Sequence, residues 1–240
     1  MLVLYIQAPF AVCRTFTAGW YRPTATFLTP SAAYGLLLNL AGIETRLREE
    51  DERHPGDVPI SVMHPDLPRV RMALGAIAGR SAESFPRVAT VYQQLHNYPV
   101  GSSGGDRAAT TFGNKYNISP VRRELLVGLQ AVVVVDENPD LEARVRQGLA
   151  GDLGGARYGL PFLGDNSFLP DRIDPLADMP SAYWYERTDP TAPIRQRATR
   201  LTVWIDRADM SQTVSHLFAP VRAPSDQVPD SAWVTLPPEA

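Results

Sequence analysis

The 240-residue chain has one cysteine and one lysine, and it lacks the sequence motifs of several common enzyme classes. Because Cys13 is alone, there is no disulfide framework and no cysteine metal cluster. The four histidines are scattered without the spacing of metal ligands. The sequence contains no Gly-x-Ser-x-Gly elbow, no phosphate-binding loop that ends in Lys-Ser or Lys-Thr, and no dinucleotide fingerprint. We therefore expect no metal ion and no cofactor.

Long apolar runs and an excess of positive charge are also missing. No run could span a bilayer and the N-terminus has no basic leader, which predicts a soluble, cytoplasmic protein that makes no membrane contact. The hydrophobic fraction of 44% is enough for a substantial core, while 22 prolines and 17 glycines indicate many loops. The formal net charge is −3, whereas a non-specific nucleic-acid binder is usually basic. Any contact with nucleic acid must then be local, or shared with more basic partner proteins.

Hydrophobic periodicity predicts an α+β fold. Strands are predicted, in chain order, at 2–8, 58–64, 70–77, 90–96, 125–135, 182–186, 201–205 and 212–218. Thr29-Pro30-Ser31 is a helix start signal, and a first helix is predicted from about Ala32 to Asn39 or Leu40, with Gly42 as its stop. A second helix opens at Asn138. This order fits a ferredoxin-like (RRM-like) antiparallel sheet in residues 1–150. Residues 151–240 are predicted to form an irregular, Gly/Pro-rich and β-containing C-terminal region packed on that domain, with coil at 150–180.

The segment 97–121 is a long Gly/Ser/Thr/Asn loop that carries cations and planar rings. These side chains are Arg107, Phe112, Lys115 and Tyr116. A loop of this length inside a compact domain is uncommon unless it is functional or disordered. Its composition suits a nucleic-acid strand, because the charges match phosphates and the rings can stack on bases. A disordered surface insertion is the alternative interpretation.

Two further groups of cations lie near this loop or near the first helix. Arg122 and Arg123 begin the strand after the loop; since neighbours on a strand point to opposite faces, only one can face the loop side. The other would pair with Glu124 or reach a partner chain. Arg14, Trp20, Tyr21 and Arg22 precede the first helix, whose free amides can take a phosphate. For the aromatic residues of this second group, packing on the core is the alternative.

A site that cuts RNA is a separate hypothesis. Such cleavage needs a group that moves protons and a cation for the developing phosphate charge. His96, Tyr98, Lys115 and Tyr116 provide these residue types. A histidine at the end of a strand is more often a hydrogen-bonding surface group, so we expect His96 to contact RNA without catalysing its cleavage.

Three segments in a fixed order resemble a known family. They are the Thr-Pro-Ser-Ala-Ala-Tyr-Gly-Leu-Leu run at 29–37, the Lys-Tyr-Asn-Ile-Ser-Pro-Val-Arg-Arg-Glu-Leu-Leu-Val run at 115–127, and Gly-Leu-Pro-Phe-Leu-Gly-Asp-Asn at 159–166. Over about residues 1–170 the chain resembles the CRISPR-associated Cas-five subunit family of type I Cascade complexes, in its Dev-type branch of the RAMP superfamily.

The resemblance implies a ferredoxin-like domain with a long β-hairpin thumb at 97–121. It implies a subunit that holds the five-prime handle of the crRNA, docks on a Cas-seven-type backbone subunit and on the large subunit, and meets target DNA only indirectly. Arg122 and Arg123 would lie at the base of the thumb. The segment 30–35, with Ser31 and Tyr34, would be the helix start that faces the handle, where Tyr34 would stack on a base. Residues 159–166 would form a glycine-rich turn after the second half of the fold.

One branch of this family cuts its precursor RNA with a tyrosine late in the first helix and a Lys-His pair in the thumb. This chain has Leu40-Ala41-Gly42 and Lys115-Tyr116 at those places, so the resemblance predicts a subunit without enzymatic activity. Two alternatives stay open: a metal-independent endoribonuclease that processes CRISPR repeat RNA, and a module that binds only protein.

Overall fold

The structure, a computed structural model, describes residues 1–15, 21–47, 63–79, 84–99, 116–189, 191–207 and 209–238. Within these ranges the side chains of 95–99 and 116–119 are not described.

The described residues form ten strands, two α-helices and two short 3₁₀ helices. The strands are β1 (Leu2–Ala11), β2 (Tyr21–Arg22), β3 (Val70–Ile77), β4 (Arg87–Pro99), β5 (Tyr116–Asp136), β6 (Arg172–Leu176), β7 (Ala182–Arg187), β8 (Thr199–Trp204), β9 (Val214–Pro220) and β10 (Val234–Leu236). The helices are α1 (Pro30–Leu40), α2 (Pro139–Ala150) and the 3₁₀ helices Met210–Gln212 and Asp230–Ala232.

All ten strands belong to one sheet. Its main order is β6-β1-β5-β3-β7-β9-β8; β2 and β4 also pair with β5, and β10 pairs with β3. Every pairing is antiparallel except the one between β2 and β5. The chain is thus a mixed α/β structure with a large antiparallel sheet and few helices. Strands from the part of the chain after residue 151 pair with β1 and β3. The division of the chain into two regions at residue 150 stays a prediction.

Both predicted helices are present with the predicted caps, although α1 begins at Pro30, two residues before the predicted Ala32. Thr29 caps α1, its hydroxyl accepting from the amide of Ala32, and Asn138 caps α2 by accepting from the amide of Leu141 at 2.9 Å. The helices cover one face of the sheet. On that face alternate residues of β1, from Leu2 to Ala8, are buried in the main core, where each large aliphatic side chain contributes about 1.5–3 kcal/mol.

The long strand β5 joins the core to a projecting hairpin. Residues 126–135 pair with β1 and 131–136 pair with β3, whereas 116–127 pair with β4. Gly128 lies at this change of partner and has a φ of 71°, a conformation that favours glycine. The strand therefore turns out of the core sheet here, and its first half forms a hairpin with β4.

The hairpin corrects the predicted extent of the loop. Residues 97–99 and 116–121 are strand rather than loop, because they pair across the hairpin, and 100–115 lie outside the described residues. The predicted coil at 150–180 is also wrong in part, since it contains β6. The predicted strand at 70–77 is confirmed. Most of the one predicted at 58–64 lies outside the described residues, although Met63 makes an isolated bridge to Arg46.

Candidate nucleic-acid interface

At the base of the hairpin, one face of the sheet carries an arginine between two tyrosines. This row, here called the stacking row, consists of Tyr21, Arg122 and Tyr92. Arg122 on β5 lies directly opposite Tyr92 on β4 and opposite Tyr21 on β2. Directly paired residues point to the same face of a sheet, so the three side chains are neighbours. Tyr92 is 80% exposed, Arg122 is also exposed, and the Arg122 guanidinium carbon lies 5.7 Å from the centre of the Tyr21 ring.

Glu124 holds Tyr21 at one end of the stacking row. The Tyr21 hydroxyl donates a hydrogen bond to one carboxylate oxygen of Glu124, and the backbone amide of Thr24 donates to the other at 3.0 Å. The hydrogen bond to Glu124 is the main cause that raises the pKa of Tyr21, and burial is a smaller cause in the same direction. Tyr21 therefore stays a neutral, planar ring at physiological pH, and half of it is open to solvent. The alternative that this ring is buried in the core is wrong.

Arg123 lies on the opposite face and is buried. Its guanidinium donates to the side-chain oxygen of Gln93 at 3.0 Å and to Asp165 at 2.5 Å, and it lies 5.3 Å from the centre of the Phe168 ring. Only 8% of the Arg123 side chain and 9% of the Asp165 side chain are exposed. All of these partners belong to the protein, which corrects the assignment of Arg123 to phosphate binding. Arg123 ties the hairpin to the turn that contains Asp165.

Several interactions position Asp165 and the turn around it. The Asp165 carboxylate accepts from the amide of Ser167 at 2.9 Å and from Arg14 at 3.0 Å. Burial acts to raise the pKa of Asp165, but the bonds from Ser167 and Arg123 outweigh it and hold the pKa well below its usual range. Gly164 has a φ of 75°, and a Cβ there would collide with the carbonyl oxygen of Val12. Arg14 binds the Asp165 carboxylate of this turn, although most of the Arg14 side chain is exposed.

The predicted contacts at the first helix are only partly exposed. Tyr34 is buried, its hydroxyl donates to the carbonyl of Pro68 at 2.7 Å, and burial raises its pKa. This corrects the expectation that Tyr34 stacks on a base, because a stacking ring must be exposed. Ser31 is half-buried with its hydroxyl 3.2 Å from that of Thr29, and Arg22 is half-buried opposite Arg123.

Several predicted contacts cannot be placed beside this site. Outside the described residues lie Trp20, Arg107, Phe112 and Lys115, while His96 and Tyr116 lie in β4 and β5 with side chains that are not described. Their predicted roles stay predictions. Sequence reasoning missed Glu124 as the partner of Tyr21, and it missed Tyr92 and Asp165. For Tyr92 a signal was present, since alternation along the predicted strand at 90–96 puts it on the face opposite Val91 and Gln93.

Neither a metal-binding group nor a membrane-spanning helix occurs in the ranges that the structure describes. Nowhere in them do three or more His, Cys, Asp or Glu side chains come together in a group that could hold a metal ion. Across these ranges, too, each helix is too short or too polar to cross a bilayer.

The sequence matches no protein-family model and no curated protein. In three dimensions the chain is similar to a solved chain described as a CRISPR RNA-guided surveillance complex, with a TM-score of 0.52 and 13% identity over 96% of this chain and 92% of that one. It is also similar to one described as the crystal structure of a Cas protein, with a TM-score of 0.44 and 14% identity over 95% and 97% of the two chains. The first likeness shows that this protein shares its fold with a chain of that surveillance complex.

Proposed function

We propose that this protein is a crRNA-binding subunit of a CRISPR ribonucleoprotein of the type I Cascade kind, and that it holds the five-prime handle of the guide RNA. In the proposal the core is a ferredoxin-like domain. The order β6-β1-β5-β3, with α1 between β1 and β3 and α2 between β5 and β6, is consistent with a split βαβ sheet. The hairpin of β4 and β5 corresponds to the thumb.

The stacking row is the observation that carries the proposal. Two tyrosine rings with an arginine between them, on the adjacent strands β2, β5 and β4, offer successive platforms for unstacked bases, and Arg122 adds a positive charge for the phosphates. Each stacked base contributes about 1–3 kcal/mol. Such a local site also accommodates the net charge of −3, because the platform needs few cations.

The proposed subunit performs no chemistry. It docks on a Cas-seven-type backbone subunit and on the large subunit, meets target DNA only through them, and works in the cytoplasm. The likeness to a chain of a multi-subunit surveillance complex supports an assembly role. The residues at 40–42 and 115–116 differ from those of the branch that cuts RNA, which supports binding without cleavage.

Binding of a fluorescent single-stranded RNA that contains the repeat-derived handle tests the proposal. Tyr92→Ala should weaken binding by about 1–3 kcal/mol, since it removes one stacking platform. Arg122→Gln should lower the slope of log affinity against log salt by about 0.7, the value for one phosphate contact with a single strand. Arg146→Gln is the matched control, because Arg146 is an exposed arginine on α2. If Tyr92→Ala and Arg122→Gln bind like this control, the stacking row does not bind RNA.

The two alternatives give different results. A metal-independent endoribonuclease would cut repeat RNA in EDTA and lose this activity on His96→Ala or Lys115→Ala. A module that binds only protein would cross-link from the hairpin to protein subunits and never to RNA.

A further inference from the structure

The sheet face opposite the two helices is covered over only part of its area. Around β3 it is closed by a second apolar cluster, in which Trp184 and Ala232 pack against Val132 and Val3. Along β1 and β5 the same face continues beyond this cluster. Strand alternation places Tyr5 and Gln7 after Val3 on that face, and Gln130 after Val132. These three side chains are only half-buried, so the cover ends where the polar side chains begin.

Tyr5 and Arg172 form a layered pair on this open area. Arg172 on β6 lies opposite Gln7, and its guanidinium carbon is 5.8 Å from the centre of the Tyr5 ring. The Arg172 side chain is 60% exposed, and one of its nitrogens lies 2.5 Å from the carboxylate of Asp174. Tyr5 therefore contacts Arg172 through its ring, and Asp174 contacts it through an ion pair. Because more than half of the Arg172 side chain is exposed, a planar ligand can reach its guanidinium from solvent.

Two side-chain amides lie next to this pair. Gln7 and Gln130 are direct cross-strand partners in the pairing of β1 with β5. The Tyr5 hydroxyl donates to the Gln7 oxygen at 3.1 Å, and within the described part of the chain the two N–H donors of Gln7 have no acceptor. Among the described residues, the amide of Gln130 has no hydrogen-bond partner in the protein. Half-buried amides with spare donors and acceptors match the polar edge of a nucleobase.

We propose that Tyr5, Gln7, Gln130 and Arg172, here called the sheet-face cluster, form a second nucleic-acid site that takes one unpaired nucleobase of a single strand. The base stacks on the exposed plane of Arg172, which Tyr5 supports, and the two amides hydrogen-bond to its edge. Asp174 balances the charge of Arg172, so the site recognises a base rather than a phosphate. The inference rests on the proposed binding of a single strand but uses a surface separate from the stacking row.

The competing interpretation is a sheet face that is polar only because water covers it. It predicts that none of these side chains matters to binding. Gln130→Ala and Arg172→Ala separate the two views, and neither change removes a buried apolar group. The matched controls are Gln147→Ala and Arg146→Gln, which alter an exposed amide and an exposed cation on α2, on the other face of the sheet.

The test uses the full chain and a fluorescent single-stranded RNA of about 16 nucleotides that carries photoreactive 4-thiouridine. We expect Arg172→Ala to weaken binding by about 5- to 30-fold and Gln130→Ala by about 3- to 10-fold, while the controls bind like the parent chain. Mass spectrometry should find cross-links in the peptides of β1 or β6. A deoxy strand of the same sequence in a parallel arm shows whether the base comes from RNA or from DNA.

The inference is overturned if both variants bind like their controls, or if cross-links occur only in the hairpin. A face that captures a protein segment and no nucleic acid would also overturn it. Failure of the proposed function is detected separately, because Tyr92→Ala and Arg122→Gln would then bind RNA like their control. If only the sheet-face variants lose binding, the second site is supported and the stacking row is not.

Discussion

Asp165→Asn should destabilise the protein far more than the loss of a surface ion pair. The substitution keeps the size of the side chain but removes the charge that faces the Arg123 guanidinium at 2.5 Å. Both side chains are more than nine-tenths buried, so the variant leaves an uncompensated cation inside the protein. Removing one partner of a buried pair costs about 3–5 kcal/mol. Because Gln93 still accepts from Arg123, we expect about 3 kcal/mol, near the lower limit.

Urea denaturation followed by tryptophan fluorescence measures this free energy of unfolding. Arg14→Gln is the matched control, since it removes a second cation from the same carboxylate but one whose side chain is 57% exposed. An exposed pair contributes about 0–1 kcal/mol. A loss below about 1 kcal/mol for Asp165→Asn, equal to that of the control, would refute the idea that Arg123 depends on this carboxylate.

The same residue predicts how stability changes with pH. The pKa of Asp165 is lowered in the folded protein, so its contribution is fully present above the unfolded pKa of about 3.9 and is lost as pH falls through the folded value. The parent chain should lose stability between about pH 5 and pH 2, and Asp165→Asn should lose less over that range. Parallel pH profiles for the two proteins would contradict the assignment.

Three further predictions concern single positions. Gly164→Ala should prevent soluble expression because the new Cβ collides with the Val12 carbonyl, whereas Gly154→Ala, with open space around it, should fold normally. Gly35→Ala should raise the free energy of unfolding by up to about 1 kcal/mol, since this helical glycine has room for a Cβ; a loss of stability in chemical denaturation would contradict this. Cys13 should resist a thiol reagent at pH 8 until urea unfolds the chain, because burial raises its pKa to about 11; rapid labelling of the folded protein would contradict this.

The parts of the fold that depend on nearby residues were predictable from the sequence. Thr29 and Asn138 cap helices through bonds to amides three residues away, so the signal and its effect lie together. The apolar run at 70–77 is likewise a strand with the predicted bounds. In contrast, β6 contains two charged residues and Pro175, and it is a strand only because it pairs with the distant β1 at the edge of the sheet, where a proline is tolerated.

The candidate site depended on such distant pairing. Sequence reasoning found Tyr21 and Arg122 in separate groups, and only the parallel pairing of β2 with β5 brings them together. It missed Asp165 because the partner Arg123 lies 42 residues away along the chain. For Tyr34 the information was present: it lies one turn from Leu37 and Leu38 in an apolar helix, and both of these are buried with it in the core. Its ring was wrongly expected at the surface.

The pairing of β1 with β5 has a consequence for synthesis of the chain on the ribosome. Residue 2 pairs with residue 135, so the apolar first strand cannot complete its ladder until β5 has emerged. At about 5–20 residues per second the intervening chain takes roughly 7–27 s to be made. During this interval the nascent polypeptide exposes a row of large aliphatic side chains. Chaperone binding to the first ten residues should therefore be strongest before β5 leaves the exit tunnel and should fall once it has.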